Sequence, residues 1–308
     1  MPGAFGALGT ERNSMKKTVG AGSKASSARG KSQSGIRKLA LIGAGKLGEG
    51  LLSALLDSRM LPLDRVEATV APAEQARADY LAGRYGIKAH TNNRQAVKGA
   101  SLVLIALKPY QVKGFLREVR NALAKDALLV SVAASVTTAM IERELGHAAR
   151  VVRAMPNTPC LIRQGMTALA RGKHATQADA EVAQNLFAAM GRTVVVDEKH
   201  MNAITAISGS GPAYVYMIIE SLAAAGVKLG LPQGLATELA SQTLLGASAL
   251  VLHTGEHPAK LKDVVTTPAG CTIDGLLALE EGGLRITLIK AVMQAAARAC
   301  QLVENDNS

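Results

Sequence analysis

Tryptophan is absent, phenylalanine occurs three times, and all aromatics together make up 3% of the 308 residues. That scarcity excludes a base-stacking nucleic-acid surface, which needs rows of aromatic rings. Cysteine is equally rare. Cys160, Cys271 and Cys300 form no C-x-x-C pair and no even framework, so they read as free thiols of a reducing compartment. No run reaches the ~18 uninterrupted apolar residues of a membrane helix. The most apolar stretch, from Ala127 to Ile141, is broken by Ser131, Ser135, Thr137 and Thr138. The 30 glycines follow no three-residue period, which excludes collagen. What is present is 48% hydrophobic and 19% charged residues, enough for a sizeable core. The length suits two domains better than one. A formal net charge of +11 fits anionic small ligands such as phosphates.

Residues 1–35 are rich in Gly, Ser, Ala and Lys, hold Glu11 as their single acid and show no apolar periodicity. They read as a disordered basic tail. Organellar leaders are also acid-poor, but these cations are mostly Lys and no amphipathic stripe emerges, while Met15 leaves a later start open. A cytoplasmic protein is expected, with organellar targeting by residues 1–35 as the alternative.

From Lys38 the pattern changes. Short β-rich runs occur at Leu39–Ile42, Val66–Val70, Ser101–Leu107, Leu128–Val132, Val151–Ala154, Met166–Ala170 and Thr193–Val196. Helix-compatible stretches such as Leu47–Arg59, Ala73–Arg84, Gln111–Leu123 and Thr176–Met190 lie between them. Continuous apolar strands alternating with helices predict an α/β domain with a mostly parallel sheet covered on both faces. Beyond about Asp197 the strands stop. Pro212–Leu229, Pro232–His253 and Thr272–Leu302, the last broken at Gly282-Gly283, read as long helices. They are apolar nearly all round, so they must be buried, and one small all-α domain cannot bury them alone. Obligate self-association follows.

Gly43-Ala44-Gly45-Lys46-Leu47-Gly48 is a full G-x-G-x-x-G between a strand and a helix. The first glycine allows the tight turn, the second lets backbone approach a pyrophosphate, and the third permits close helix packing. This predicts a Rossmann dinucleotide-binding domain. A phosphate-cradling Walker loop is excluded because Leu47 follows Lys46. The second strand ends Thr69-Val70-Ala71-Pro72 without the carboxylate that takes an NAD ribose. Glu67 lies inside that strand and points elsewhere or pairs locally. NADPH is therefore the expected cofactor, with NADH as the second choice.

His253-Thr254-Gly255-Glu256-His257 spells an inverted zincin pattern. Gly255 and Pro258 end the helix there, so no metal is expected. Ser208-Gly209-Ser210-Gly211 lacks the first glycine of a nucleophile elbow and reads either as a helix entry with close backbone approach or as a plain interdomain turn. Thr266 to Ile273 is a small-residue loop leading into a helix that Thr272 would cap, with free N–H groups suited to a carboxylate.

These segments, together with Leu107-Lys108-Pro109, Arg153-Ala154-Met155-Pro156-Asn157-Thr158-Pro159, Ser208 to Tyr214, Gly226 to Pro232, and His257-Pro258 with Leu261-Lys262-Asp263, resemble the pyrroline-5-carboxylate reductase family from about Ile36 to Glu304. The resemblance implies a Rossmann domain over residues 36–197 and a helical domain over residues 198–308 that interlocks into dimers and commonly decamers. It implies cofactor contacts at Gly43, Ala44, Gly45, Lys46, Leu47, Gly48, Val70, Asn93, Leu107, Lys108 and Ala134, and Asn157 is added as an orienting residue. It implies substrate contacts at Glu198, Gly270, Cys271 and Thr272. The chain departs from the family at Val70, where Ser or Arg is common, at Ala269 and Cys271 in a typical Gly-Gly-Ala-Thr, and at Val264.

The implied reaction is reduction of 1-pyrroline-5-carboxylate to L-proline with hydride from NAD(P)H. The cofactor carries the hard chemistry, so no His or Cys nucleophile is needed. The Gly270-Cys271 backbone would hold the carboxylate, the Thr272 hydroxyl would bond the ring nitrogen as the catalytic group, and Lys108 would sit over the ribose and nicotinamide edge. A β-hydroxyacid-type dehydrogenase would need a helical Lys with Asn four residues on, and Lys228 is followed by Leu229-Gly230-Leu231-Pro232. A non-enzymatic NADPH sensor would bind without turnover and would lose its partner with residues 1–35. The expected partners are a small molecule and further copies of the chain, with no nucleic acid and no membrane.

Overall fold

Leu39-Ala40-Leu41-Ile42 has no polar face, and it forms β1 (Leu39–Ile42), buried along its whole length. A computed structural model describes residues 36–58 and 60–307, so the tail expected over residues 1–35 lies outside the described residues. After β1 come α1 (Lys46–Asp57), β2 (Val66–Thr69), α2 (Gln75–Tyr85), β3 (Lys88–His90), α3 (Asn93–Val97) and β4 (Leu102–Ile105). They are followed by α4 (Pro109–Val119), β5 (Leu128–Ser131), α5 (Thr138–Leu145), β6 (Arg150–Met155), β7 (Gly165–Arg171), α6 (Gln177–Ala188) and β8 (Gly191–Val195).

The strands form one sheet in the order β3-β2-β1-β4-β5-β6-β7-β8. All neighbours are parallel except β6 and β7. The link 156–164 between those two is too short for a crossover helix, so the chain can only turn back. Alternation along β1 serves both faces. Leu39 and Leu41 join Leu51 of α1, Leu81 of α2 and Phe187 of α6. Ala40 and Ile42 join Val97 of α3, Leu116 of α4 and Ile141 of α5. A sheet covered on both faces explains why its inner strands read as unbroken apolar runs.

After β8 the chain turns helical. Four-residue α7 (Met201–Ile204) winds into a π-turn over Thr205–Gly209, closed by Ser210 N–H donating to the Thr205 carbonyl at 2.9 Å. Then follow α8 (Gly211–Lys228), α9 (Gln233–Thr254), α10 (Pro258–Val264), α11 (Cys271–Glu281) and α12 (Leu284–Asn307). The break expected at Gly282-Gly283 separates α11 from α12, with Gly283 at φ 67°. Helix α8 packs on α9, α11 packs on α12, and α12 returns to α7 and the π-turn.

Within one chain these helices are not covered. Ala223 is the only buried residue of α8, and Ala236 and Ala240 are the only two of α9. Met217 is 70% exposed, Leu245 60% and Leu229 84%. Helix α9 and the stretch Leu284–Val303 are even long and apolar enough to cross a membrane by length and composition. So much contiguous apolar surface marks an interface.

Candidate active site

The three glycines of the loop after β1 have three different surroundings. Gly43 sits at φ +90°, and a Cβ there would lie 2.8 Å from the Ala106 carbonyl oxygen. Gly48 faces the loop so closely that a Cβ would lie 2.3 Å from the Gly43 oxygen. At Gly45 a Cβ would meet nothing within 4 Å. The first and third glycines are thus held by packing, while the second faces open space beside the first turn of α1. Free N–H groups and the positive end of the helix dipole make that space fit a pyrophosphate.

The loop is tied to its neighbours. Gly43 and Ala44 N–H both donate to the Thr69 carbonyl at the end of β2, at 3.1 and 2.7 Å. Ala106 N–H donates to Ile42 at 2.8 Å. The sheet order reverses between β1 and β4, and ligands of open α/β sheets bind outside the carboxyl ends of strands at such a reversal. The elements bring most of the expected residues to that edge: Gly43 to Gly48 after β1, Leu107 and Lys108 after β4, Ala134 after β5 and Asn157 after β6. Ala134 is exposed next to Ser135, a non-glycine residue at φ 65°, a conformation that clusters at ligand sites.

Three of the expected contact residues have partners within the chain, and the expected helix cap falls elsewhere. The Val70 side chain is 5% exposed within the core, and its N–H is bonded to the His90 carbonyl at 3.2 Å, so it presents no side chain to a ribose. The Glu198 side chain is half-buried and bonded within the chain. It accepts from Thr138 N–H at 2.9 Å, from the Thr138 hydroxyl at 2.5 Å and from Arg153 at 3.3 Å. Asn157 is engaged at both ends of its amide, accepting from Met166 N–H at 2.9 Å and donating to the Ser208 hydroxyl at 3.3 Å. It binds the edge of β6 to the π-turn. Thr272 is not a cap: Gly270 occupies the N-cap and Thr272 stands second in α11, because extended Gly270 already ends the turn that follows Ala269 at φ 57°. Asn93 lies at the start of α3 and donates its amide to Glu118 at 3.1 Å.

Gly270, Cys271 and Thr272 open α11, with Cys271 exposed and Thr272 half-buried. The first backbone N–H groups of a helix have no partner within it, so this turn presents donors for a carboxylate. It belongs to the α11–α12 pair and has no substantial contact with the strands of its own chain. The two histidines of the zincin-like pattern fall on different elements. Helix α9 ends at Thr254 with Gly255 at φ 68°, and His257 caps α10 by accepting from Ala259 N–H at 3.2 Å.

Charges around the glycine loop are paired across helices. Glu67, inside β2, takes Lys38 at 2.9 Å. Glu49, on the first turn of α1, accepts from the Tyr85 hydroxyl at 3.0 Å and pairs with Arg77 of α2. Burial works to raise the Glu49 carboxyl, but the hydrogen bonds from Arg77 and Tyr85 and the nearby guanidinium charges outweigh it, holding the carboxyl below its ordinary value. Arg153 is nearly fully buried. Burial pushes its guanidinium below the ordinary value, with Glu198 opposing. Arg153 and Ser208 lie within segments that carry the resemblance, but their bonds to Glu198 and Asn157, 45 and 51 residues away in the chain, leave no local signal.

Comparison with known proteins agrees with this geometry. The family described as pyrroline-5-carboxylate reductase dimerisation matches residues 198–302, and the family described as NADP oxidoreductase coenzyme F420-dependent matches residues 38–135. A pyrroline-5-carboxylate reductase of Pisum sativum is 42% identical over 86% of this chain and 95% of its own length. That of Escherichia coli is 36% identical over 86% of this chain and 98% of its own length. Among solved structures, a pyrroline-5-carboxylate reductase from Coxiella burnetii superposes with a TM-score of 0.80 at 34% identity, covering 86% of this chain and 98% of that one. The Plasmodium falciparum pyrroline carboxylate reductase with NADP bound superposes with a TM-score of 0.78 at 28% identity, with the same coverage. A dinucleotide edge followed by a helical half that needs a second copy, together with identity along most of the chain, places it in the pyrroline-5-carboxylate reductase family.

Proposed function

We propose that this protein reduces 1-pyrroline-5-carboxylate to L-proline, the last step of proline biosynthesis, using NADPH. The observation that carries the reading is the 42% identity to the Pisum sativum enzyme over 86% of the chain. The loop geometry supports it, because the residues present fit a dinucleotide: Gly45 faces open space while Gly43 and Gly48 are packed tight. NADPH supplies the hydride when bound.

The protein's own part is binding and orientation. The loop from Gly43 to Gly48 would hold the pyrophosphate, and Leu107, Lys108, Ala134 and Asn93 would line the remainder of the edge. The N–H groups of Cys271 and Thr272, released by Gly270, would hold the substrate carboxylate. The Thr272 hydroxyl would meet the ring nitrogen, where one proton must be held as the imine carbon is reduced. We read residues 36–197 as the dinucleotide-binding domain and residues 198–308 as the part that pairs copies and offers the substrate turn. Because that turn has no substantial contact with the strands of its own chain, it is read as serving the edge of a second copy. Dimers would be the unit and decamers the higher assembly, in the cytoplasm. The test is oxidation of NADPH by the purified protein with pyrroline-5-carboxylate, repeated with NADH. Proline formed with NADPH is the expected result, and cofactor binding without turnover would favour the sensor reading.

A further inference from the structure

Between the end of β2 and the exposed Glu74 at the N-cap of α2, no side chain could recognise an adenosine ribose. Val70 is buried, and Ala71, Pro72 and Ala73, which follow it, are exposed but carry no side-chain donor or acceptor. A cation has nevertheless been brought to this corner from the next helix. Arg77 lies on the first turn of α2, the end that leaves the carboxyl edge of the sheet, and its guanidinium reaches across to Glu49 on the first turn of α1. Tyr85, at the opposite end of α2, donates to the other oxygen of Glu49 at 3.0 Å. Glu49 is therefore clasped between the two ends of α2, with Arg77 on the side of the glycine loop. The loop and the strand end are themselves bonded through the Thr69 carbonyl.

The guanidinium also lies 5.2 Å from the centre of the Tyr80 ring, so its plane is supported from below as well as from the side. Its side chain is 31% exposed. Glu49 is its only hydrogen-bond partner among the described residues, which leaves most of its five N–H donors unused. A fixed guanidinium fork with spare donors suits a phosphate, which takes paired N–H bonds.

We propose that Arg77 recognises the adenosine 2′-phosphate of the cofactor, and that Glu49 limits how strongly it does so. This rests on the NADPH reading above and adds the residue that makes the choice. Glu49 has two effects on the site. It orients the guanidinium, and its negative charge opposes a phosphate placed nearby. Neutralising Glu49 while keeping its oxygen should therefore sharpen the preference for phosphate, whereas removing the Arg77 charge should abolish it.

The test is calorimetric titration with two fragments that differ only in the group concerned, adenosine 2′,5′-bisphosphate and adenosine 5′-monophosphate, with NADPH and NADH titrated alongside. The wild-type chain should favour the bisphosphate. Arg77→Gln should weaken the bisphosphate and NADPH about tenfold or more, the usual weight of a charge-assisted bond, and leave the monophosphate and NADH within about twofold of wild type. Glu49→Gln should raise the ratio of bisphosphate to monophosphate affinity, and it decides the matter if Arg77→Gln does not fold. Equal loss of both fragments in Arg77→Gln, no loss of either, or a lowered ratio in Glu49→Gln would overturn the proposal. No fragment contains the imine. A wild-type chain that favours the bisphosphate yet yields no proline would defeat the proposed reaction and leave Arg77 standing, whereas proline formation without any 2′-phosphate preference would do the reverse.

Discussion

Thr272 stands second in α11 behind Gly270, and that single position separates two roles a helix-opening threonine can have. A residue past the cap contributes little through capping. Thr272→Ala should therefore keep the stability of the wild type to within about 0.5 kcal/mol. If its hydroxyl serves the ring nitrogen, kcat/KM should fall ~10²–10⁴-fold, and Thr272→Ser should restore most of it. Melting temperature and kcat/KM measured on the same samples decide this, and an alanine variant at the wild-type rate would leave Thr272 without a part in the reaction. Ala71 gives a second test. It is exposed where Val70 is buried, so a carboxylate at Ala71 reaches the ribose edge without disturbing the core. Ala71→Asp should lower kcat/KM with NADPH relative to NADH by about tenfold, and an unchanged ratio would count against this corner as the ribose site. Cys160 differs from its two fellow cysteines, which are exposed. Burial pushes its thiol up, so a thiol reagent at mildly alkaline pH should label it only after unfolding, which peptide mapping would reveal.

At the scale of elements, the junction of β1 and α1 separates packing from binding. Gly45→Ala places a methyl in open space at φ −71°, so the fold should melt normally while NADPH binding weakens because the methyl intrudes on the phosphates. Gly48→Ala drives a methyl to 2.3 Å from the Gly43 oxygen. That contact is with backbone, and overpacking of this kind costs about 1–3 kcal/mol. It should lower both the melting temperature and the affinity for NADPH. Equal behaviour of the two variants in calorimetry and titration would refute this division. The same junction was legible in the sequence because its glycines lie within six residues and their spacing carries the geometry. The two central strands, β1 and β4, were legible because burial on both faces leaves them no polar positions. Strand β3 was not, since Lys88-Ala89-His90 is a three-residue edge strand, too short and polar to show a period. Helices α3 and α5 escaped for a related reason, being only 5 and 8 residues long. The bonds that Glu198 and Asn157 make within the chain were not legible either. Their bonds run to Thr138 and Ser208, 60 and 51 residues away in the chain, and no local pattern announces a contact of that range.

The whole molecule is uneven. The sheet half buries its core on both faces, while the helical half leaves residues such as Met217, Leu229 and Leu245 in water, within the segment matched by the dimerisation family. Sedimentation at micromolar concentration should show dimers or larger species and no stable monomer. Leu245→Glu puts a charge on α9 at a site 60% exposed in the single chain, where a surface change would ordinarily alter stability by no more than about 0.5 kcal/mol. If α9 is covered by a second copy, the variant should instead dissociate and lose activity. A fully associated, active variant would show that this face is free. Helices that no single chain can cover have a consequence for how much protein a cell must hold. Folding completed by a second copy obeys mass action, so the melting temperature should climb with protein concentration, and dilution alone should unfold what heat has not. Each chain leaving the ribosome carries this bare surface until it meets another, and at low abundance that wait exposes it to aggregation. The rate of synthesis thereby becomes one of the conditions under which the fold exists.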